Sequence, residues 1–240
     1  MSWIRLYLTV EGETELKFAK ETLFPHLAKF EVEVRPRMIP TNRKLGTRGG
    51  ALNFQRLKNN TAHLMKEDAN PEARFSTMID LYALPADYPG WKEAEKKSKP
   101  ADRVLELEKA LALKLADFRF IPFLQLHEFE ALLYCDLKQF QFRIQEADKA
   151  TAQLDKAIAQ LQKEVACFAC PEDINDGDTT APSKRLIKHV PRYEKLKVRV
   201  GAPAAGEIGL PVLREKCPHF GQWLTRLENL GQSVQVREKL

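Results

Sequence analysis

"LYLTVEGETE", residues 6–15, turns from apolar to acidic and places Glu11, Glu13 and Glu15 within five residues of one another. Its first half is β-branched and aromatic and, with Ile4 and Arg5, predicts a buried strand over 4–10. The following "ETELKFAKETLFPHL" spaces Leu16, Phe18, Ala19, Leu23 and Phe24 near a helical period as far as Pro25. Like charges are packed at a strand tip only where something offsets them: a metal ion, a basic partner, or the first turn of a helix. Gly12 permits a sharp strand-to-helix turn. Glu15, four residues past Glu11, faces back to the same edge if the helix starts near Glu13. Glu13 reads as a complement to the helix dipole; Glu11, ahead of the helix, reads as functional.

Working outward, "FEVEVRPRMI" (30–39), "RFSTMIDLYAL" (74–84, with its strand ending near Asp80) and "FRFIPFLQL" (118–126) predict three further strands. Helical patterns lie between and after them in "ALNFQRLKNNTAHLMKED" (51–68), "ADRVLELEKALALKLAD" (101–117) and "HEFEALLYCDLKQF" (127–140). Strands alternating with helices predict an α/β fold, a parallel four-stranded sheet with helices on both faces. Beyond about residue 145 the pattern is mainly helical, clearest in "DKATAQLDKAIAQLQKEVACF" (148–168). The expected organisation is an α/β core over 1–140 and a helical C-terminal extension over 141–240 packed on it.

The 240 residues are 44% hydrophobic and 30% charged, enough for a substantial core. No run of about 18 apolar residues predicts a membrane span, and "MSWIRLYLTVEGE" reads as a first strand rather than a signal peptide. Four cysteines are too sparse for a disulfide framework and fit a reducing cytoplasm. Cys167, Cys170, Cys217 and His219 supply four zinc-type ligands, although the Cys-x-His pair is tighter than usual; the other reading is buried or incidental thiols. The net charge of +5 matters less than its distribution. Residues 34–66 hold eight basic residues and no acid, and residues 184–199 hold seven against Glu194 alone. Such blocks suit a polyanion partner or two solvated faces.

In a parallel sheet the carboxyl ends of the strands share one edge, where ligands bind. Glu11 follows the first predicted strand, Asp80 the third and Glu128 the fourth, with Glu130 close behind; the second runs into a loop carrying Arg43, Lys44 and Arg48. Acids converging beside a basic loop suit Mg²⁺- or Mn²⁺-dependent chemistry on a phosphodiester, with Glu11, Glu15, Asp80, Glu128 and Glu130 as candidate metal ligands. The basic loop would hold nucleic-acid phosphates. "INDGDTTAPSKRLIKHVPRYEK" (174–195) fails the spacing of a calcium loop and predicts a helix from near Pro182 presenting Lys184, Arg185 and Lys188. Lys184 there either stabilises charge on a leaving oxygen or sits on an exposed helix. His127 reads as a proton-transfer group or as a satisfied structural histidine.

"VEGETE" after the first strand and "MIDLY" closing the third resemble the TOPRIM catalytic core of topoisomerases, bacterial primases and OLD-type nucleases, over roughly residues 4–136. "MIDLYALPADYPGW", "QLHEFEALLYCD" and "EDINDGDTTAPSKRL" further resemble a bacterial family of unknown function with a TOPRIM-like core, often encoded beside an AAA or ABC-type ATPase. The resemblance implies catalytic roles for Glu11 and Asp80, metal ligation by both with a second acid at Glu15, and a two-component defence or repair nuclease with an ATPase partner. One departure stands out: TOPRIM enzymes commonly carry Asp-x-Asp at the third strand, and here the second position is Tyr82. Glu128 or Glu130 then compensates, a single metal binds, or the chain is a non-catalytic subunit that binds nucleic acid or an ATPase. A phosphoryl-transfer enzyme acting on nucleotides is the remaining alternative.

Overall fold

The computed structural model describes residues 3–39, 54–148, 153–174, 177 and 179–231. Arg43, Lys44 and Arg48, the expected basic loop, lie outside the described residues. Strands β1 (Ile4–Val10), β2 (Val32–Met38), β3 (Ala73–Asp80), β4 (Phe120–Ile121) and β5 (Leu124–Gln125) form a parallel sheet. Its order is β2-β1-β3-β4, with β5 also paired to β3. Val10 pairs with Met38 on one side and with Met78 on the other, so the carboxyl ends of the three long strands arrive at one edge.

Alternation along the strands sends side chains to two cores. Leu6, Leu8, Val10 and Met78 join the larger one, with Phe18, Phe129, Phe220, Trp223 and Leu224. Tyr7, Phe75 and Ile79 point to the other face, against Leu57 and Leu64 of α3 (Phe54–Glu67) and Leu107 and Leu111 of α5 (Pro100–Leu115). Helices therefore cover both faces, and the larger core is shared between the sheet and the C-terminal helices. Each fully buried leucine or phenylalanine contributes about 1.5–3 kcal/mol of hydrophobic transfer energy.

The first helical stretch runs as α1 (Glu13–Phe18), a π turn (Ala19–Leu23) and α2 (Phe24–Leu27). Pro25 lacks an N–H, and the widened turn just ahead of it accommodates the missing bond. A short helix, α4 (Trp91–Ala94), lies in the loop between β3 and α5. The strand expected over 118–126 is broken in two. Pro122 cannot donate to a ladder, and hydroxyls of β3 bridge the gap: Ser76 donates to the Ile121 carbonyl (2.7 Å), while Thr77 donates to the Phe123 carbonyl (2.7 Å) and accepts its N–H (3.1 Å).

The helix expected over 127–140 is likewise divided. Phe129–Cys135 forms a 3₁₀ turn in which every residue is buried, so the stretch lacks the polar face of a surface helix. Asp136 then caps α6 (Leu137–Ala147) by accepting the Lys138 N–H at 2.9 Å. The C-terminal part is helical as expected: α7 (Leu154–Val165), α8 (Pro182–His189), α9 (Tyr193–Leu196), a π turn (Lys197–Gly201), α10 (Ala202–Ile208), α11 (Leu210–Lys216) and α12 (Pro218–Glu228). Among the described residues, no helix is long and apolar enough to cross a membrane.

Candidate functional site

The acids expected at the sheet edge are brought together there. Glu11, one residue past β1, accepts the backbone N–H of Asp80 at 3.2 Å and so ties the tips of β1 and β3. Asp80 in turn accepts the Phe129 N–H at 2.9 Å, which draws the 3₁₀ turn carrying Glu130 onto the same edge. Glu15 reaches back to the Gly12 N–H at 3.0 Å. At position 12 the φ of −137° suits any residue, and a Cβ would lie 3.0 Å from the Glu15 carboxylate, close enough to push it aside. Glu13 is exposed on the first turn of α1, consistent with a role at the helix terminus.

Two of the five acids have protein partners on the C-terminal side. Glu128 accepts both the Ser183 N–H (2.8 Å) and the Ser183 hydroxyl (3.0 Å), so this carboxylate sits over the N-terminus of α8. Glu130 accepts from the Tyr193 hydroxyl (3.3 Å) and pairs with Lys197 Nζ (2.9 Å), both on the same oxygen. Lys197 opens the π turn, a distortion often found at functional sites. Gly201 closes it, and a Cβ there would lie 3.0 Å from the Tyr193 hydroxyl.

The electrostatics follow from burial and mutual repulsion. Burial, followed by repulsion from Glu11 and Glu130, raises Glu15 to about 7. Burial and then Glu15, Glu11, Glu130 and Glu128 hold Asp80 well above the usual carboxylate range. Burial also raises Glu11, with Glu128 and Glu130 adding to it, and raises Glu128, with Glu130 adding. Lys197 shows the reverse balance: burial lowers its pKa, but Glu130, Glu128 and Asp80 more than offset this and leave it raised. Among the described residues, the site concentrates carboxylates and pairs one of them, Glu130, with a lysine.

Hard oxygen donors in this arrangement suit Mg²⁺ or Mn²⁺. Among the described residues no three such donors have already closed into a coordination shell. Mg²⁺ commonly takes one or two carboxylates and keeps several waters, so an ion at this edge would call on no more than one or two of Glu11, Asp80 and Glu15.

The other expected residues are placed differently. Lys184 is exposed on α8 beside Ser183. Arg185 is buried rather than presented to a ligand: it donates to the Thr180 carbonyl (2.7 Å), pairs with Glu164 (2.5 Å) and lies over the Phe168 ring. Lys188 is exposed and meets the same Glu164 at 3.1 Å, as does His189 at 2.7 Å. His127 is fully buried, with Nε2 at 2.9 Å from the Glu172 carbonyl, the structural alternative of its two readings. The zinc quartet is not assembled: Cys217 Sγ lies 3.4 Å from Cys135 Sγ, and His219 pairs with Glu108 at 2.9 Å. Lys197 is the residue of the site that sequence pattern does not single out. It lies inside the basic stretch 184–199, but "KVRVG" has no periodicity to single it out.

A family model described as a domain of unknown function (DUF4276) matches residues 10–228, and the chain belongs to that family. No curated protein matches it. Among solved structures, the C-terminal region of the Burkholderia pseudomallei OLD protein is similar at 16% identity and a TM-score of 0.45, over 95% of this chain and 99% of that one.

Proposed function

We propose that this DUF4276 member is a Mg²⁺- or Mn²⁺-dependent phosphodiesterase that cuts nucleic acid. The observation that carries the reading is the convergence of Glu11, Glu15, Asp80, Glu128 and Glu130 at the carboxyl edge of the sheet, with Lys197 paired to Glu130. Leaving such charge unpaired costs stability, and a divalent cation is the direct way to offset it. One or two of Glu11, Asp80 and Glu15 would hold the ion, with Glu128 and Glu130 anchored just behind them. The metal, when bound, supplies Lewis-acid stabilisation of the phosphodiester and lowers the pKa of a coordinated water. Lys197 would offset charge on a phosphate oxygen once a substrate draws it from Glu130. Arg43, Lys44, Arg48, Lys184 and Lys188 would contact the nucleic-acid backbone, and an AAA or ABC-type ATPase would be the partner in a bacterial defence or repair system.

The test is incubation of single- and double-stranded DNA and RNA with the protein and Mn²⁺. Cleavage that EDTA abolishes, and that Glu11→Gln and Asp80→Asn both remove, supports the reading. Cleavage unaffected by both substitutions contradicts it.

A second reading is favoured by Tyr82, which stands where a second strand-tip acid would be, and by the protein partners already held by Glu128 and Glu130. It makes the chain a non-catalytic subunit binding nucleic acid or the ATPase. Binding of nucleic acid would then persist in EDTA and weaken with salt.

A further inference from the structure

The Cys135 and Cys217 side chains, 82 residues apart in the chain, meet in the larger core with their Sγ atoms 3.4 Å apart. Both are free thiols, buried at 2% and 0% exposure. Each sits at the end of an element: Cys135 closes the 3₁₀ turn that carries Glu130, and Cys217 lies between α11 and α12. The backbone around them is held from several sides. Lys216 Nζ donates to the Cys135 carbonyl at 2.7 Å, the Cys217 N–H donates to the Leu213 carbonyl at 2.9 Å, and the Tyr134 hydroxyl donates to the Pro182 carbonyl at 2.8 Å. Sulfurs already in contact need only a short approach to reach the S–S bond length of about 2.05 Å.

Apolar packing accounts for either thiol alone. Meeting sulfur to sulfur gives the pair a chemistry that neither has by itself. Alongside runs a groove of about 400 Å³ lined by Tyr134, Cys170, Lys216 and Pro218 among others, so it comes within one residue of each cysteine of the pair. The contact with Cys135, and then burial, hold the Cys217 thiol well above its ordinary pKa. That keeps it protonated and slow to react while the core is closed, so its oxidation takes a small reagent and sustained exposure.

We propose that Cys135 and Cys217 form an oxidation site for a peroxide, which closes them into an intramolecular disulfide and pins the turn carrying Glu130 to the start of α12. In the first step one sulfur, as its thiolate, attacks the peroxide O–O bond. An S–O bond forms, the O–O bond breaks, and the departing hydroxide takes up the thiol proton as water, leaving a sulfenic acid. The second sulfur then attacks the first: the S–S bond forms, the S–O bond breaks, and the second thiol proton leaves with the hydroxyl as water. Both sulfurs are oxidised, and one hydrogen peroxide is reduced to two waters. The site stands apart from the metal reading of the sheet edge and does not rest on it.

The test uses the full chain carrying Cys167→Ser and Cys170→Ser, both outside the core, so that only the pair is left to oxidise. After hydrogen peroxide, both remaining thiols should resist alkylation in denaturant, peptide mapping should join the Cys135 and Cys217 peptides, and dithiothreitol should restore both thiols. The wild type mapped in the same way should give the same joined peptides. Because the cross-link spans 82 residues, the unfolding midpoint should rise by about 5 °C or more, with an unchanged circular-dichroism spectrum. Thiols that stay open to alkylation after peroxide, sulfurs carried to sulfinic acid without a cross-link, or a disulfide formed only between chains would each overturn the proposal. A disulfide that leaves the midpoint unmoved would overturn the pinning.

Discussion

Lys197 Nζ lies 2.9 Å from Glu130 Oε1, and the Tyr193 hydroxyl donates to the same oxygen across 3.3 Å. Glu130, like Glu128, is thus held by the C-terminal helices, while Glu11 and Asp80 sit at the tips of β1 and β3. The charge balance of the site depends on a segment more than a hundred residues away in the chain from Glu11.

Replacing that lysine tests the balance. Lys197→Met should destabilise the protein by about 1–3 kcal/mol at neutral pH, since a buried carboxylate loses its cation. The loss should shrink near pH 5, where protonation relieves the cluster. Thermal or urea unfolding of both proteins at the two pH values checks this. An equal loss at both would count against the electrostatic account.

The raised carboxyls set the direction of the pH dependence. Glu15 ionises near 4.5 in the unfolded chain and at about 7 when folded, so between those values the native state binds more protons than the unfolded one. Stability of the metal-free protein should therefore be fullest below about pH 4.5 as far as this group is concerned, and fall by on the order of 3 kcal/mol as pH rises to about 7. Glu11, Asp80 and Glu128 act in the same direction. Calorimetric melting across that range should show the decline, Mn²⁺ should flatten it, and Glu15→Gln should reduce it.

Gly201 allows the π turn to approach Tyr193. Gly201→Ala would place a Cβ 3.0 Å from the Tyr193 hydroxyl and 3.3 Å from Thr14 Cγ2, both in fixed surroundings. The expected cost is about 1–3 kcal/mol, with a matching loss of metal-dependent activity as Lys197 shifts. The same substitution in a Tyr193→Phe background should cost measurably less.

Arg185 separates scaffold from surface. Its guanidinium joins α7 to α8 through Glu164, so Arg185→Ala should lower the unfolding midpoint and leave the salt dependence of nucleic-acid binding unchanged. Lys184→Ala, at an exposed position, should do the opposite and reduce the salt slope by about one.

These four cases show which parts of the molecule the sequence discloses. β1 and β3 are visible as short apolar runs because each is buried along almost its whole length, and the acids at the tips follow from where those runs end. The parallel sheet with both faces covered follows from the same pattern. The single strand expected over 118–126 is broken at Pro122, and the break is bridged by Ser76 and Thr77, whose hydroxyls look like ordinary strand residues in sequence. Arg185 reads as a surface cation because its partner Glu164 lies 21 residues upstream on another helix. Lys197 is hidden for a similar reason: nothing in "KVRVG" predicts a π turn, and its partner Glu130 belongs to a distant stretch of the chain, the 3₁₀ turn Phe129–Cys135. Local pattern located the carboxylates; tertiary packing chose their cation.

The most direct measurement is calorimetric titration of Mn²⁺ and Mg²⁺ into the wild type, Glu11→Gln and Asp80→Asn, each verified as folded. Binding in the wild type, with proton release near neutral pH and loss in both variants, is the predicted result. A folded wild type that takes up neither ion, with or without a non-cleavable oligonucleotide present, would contradict a metal site at the strand tips.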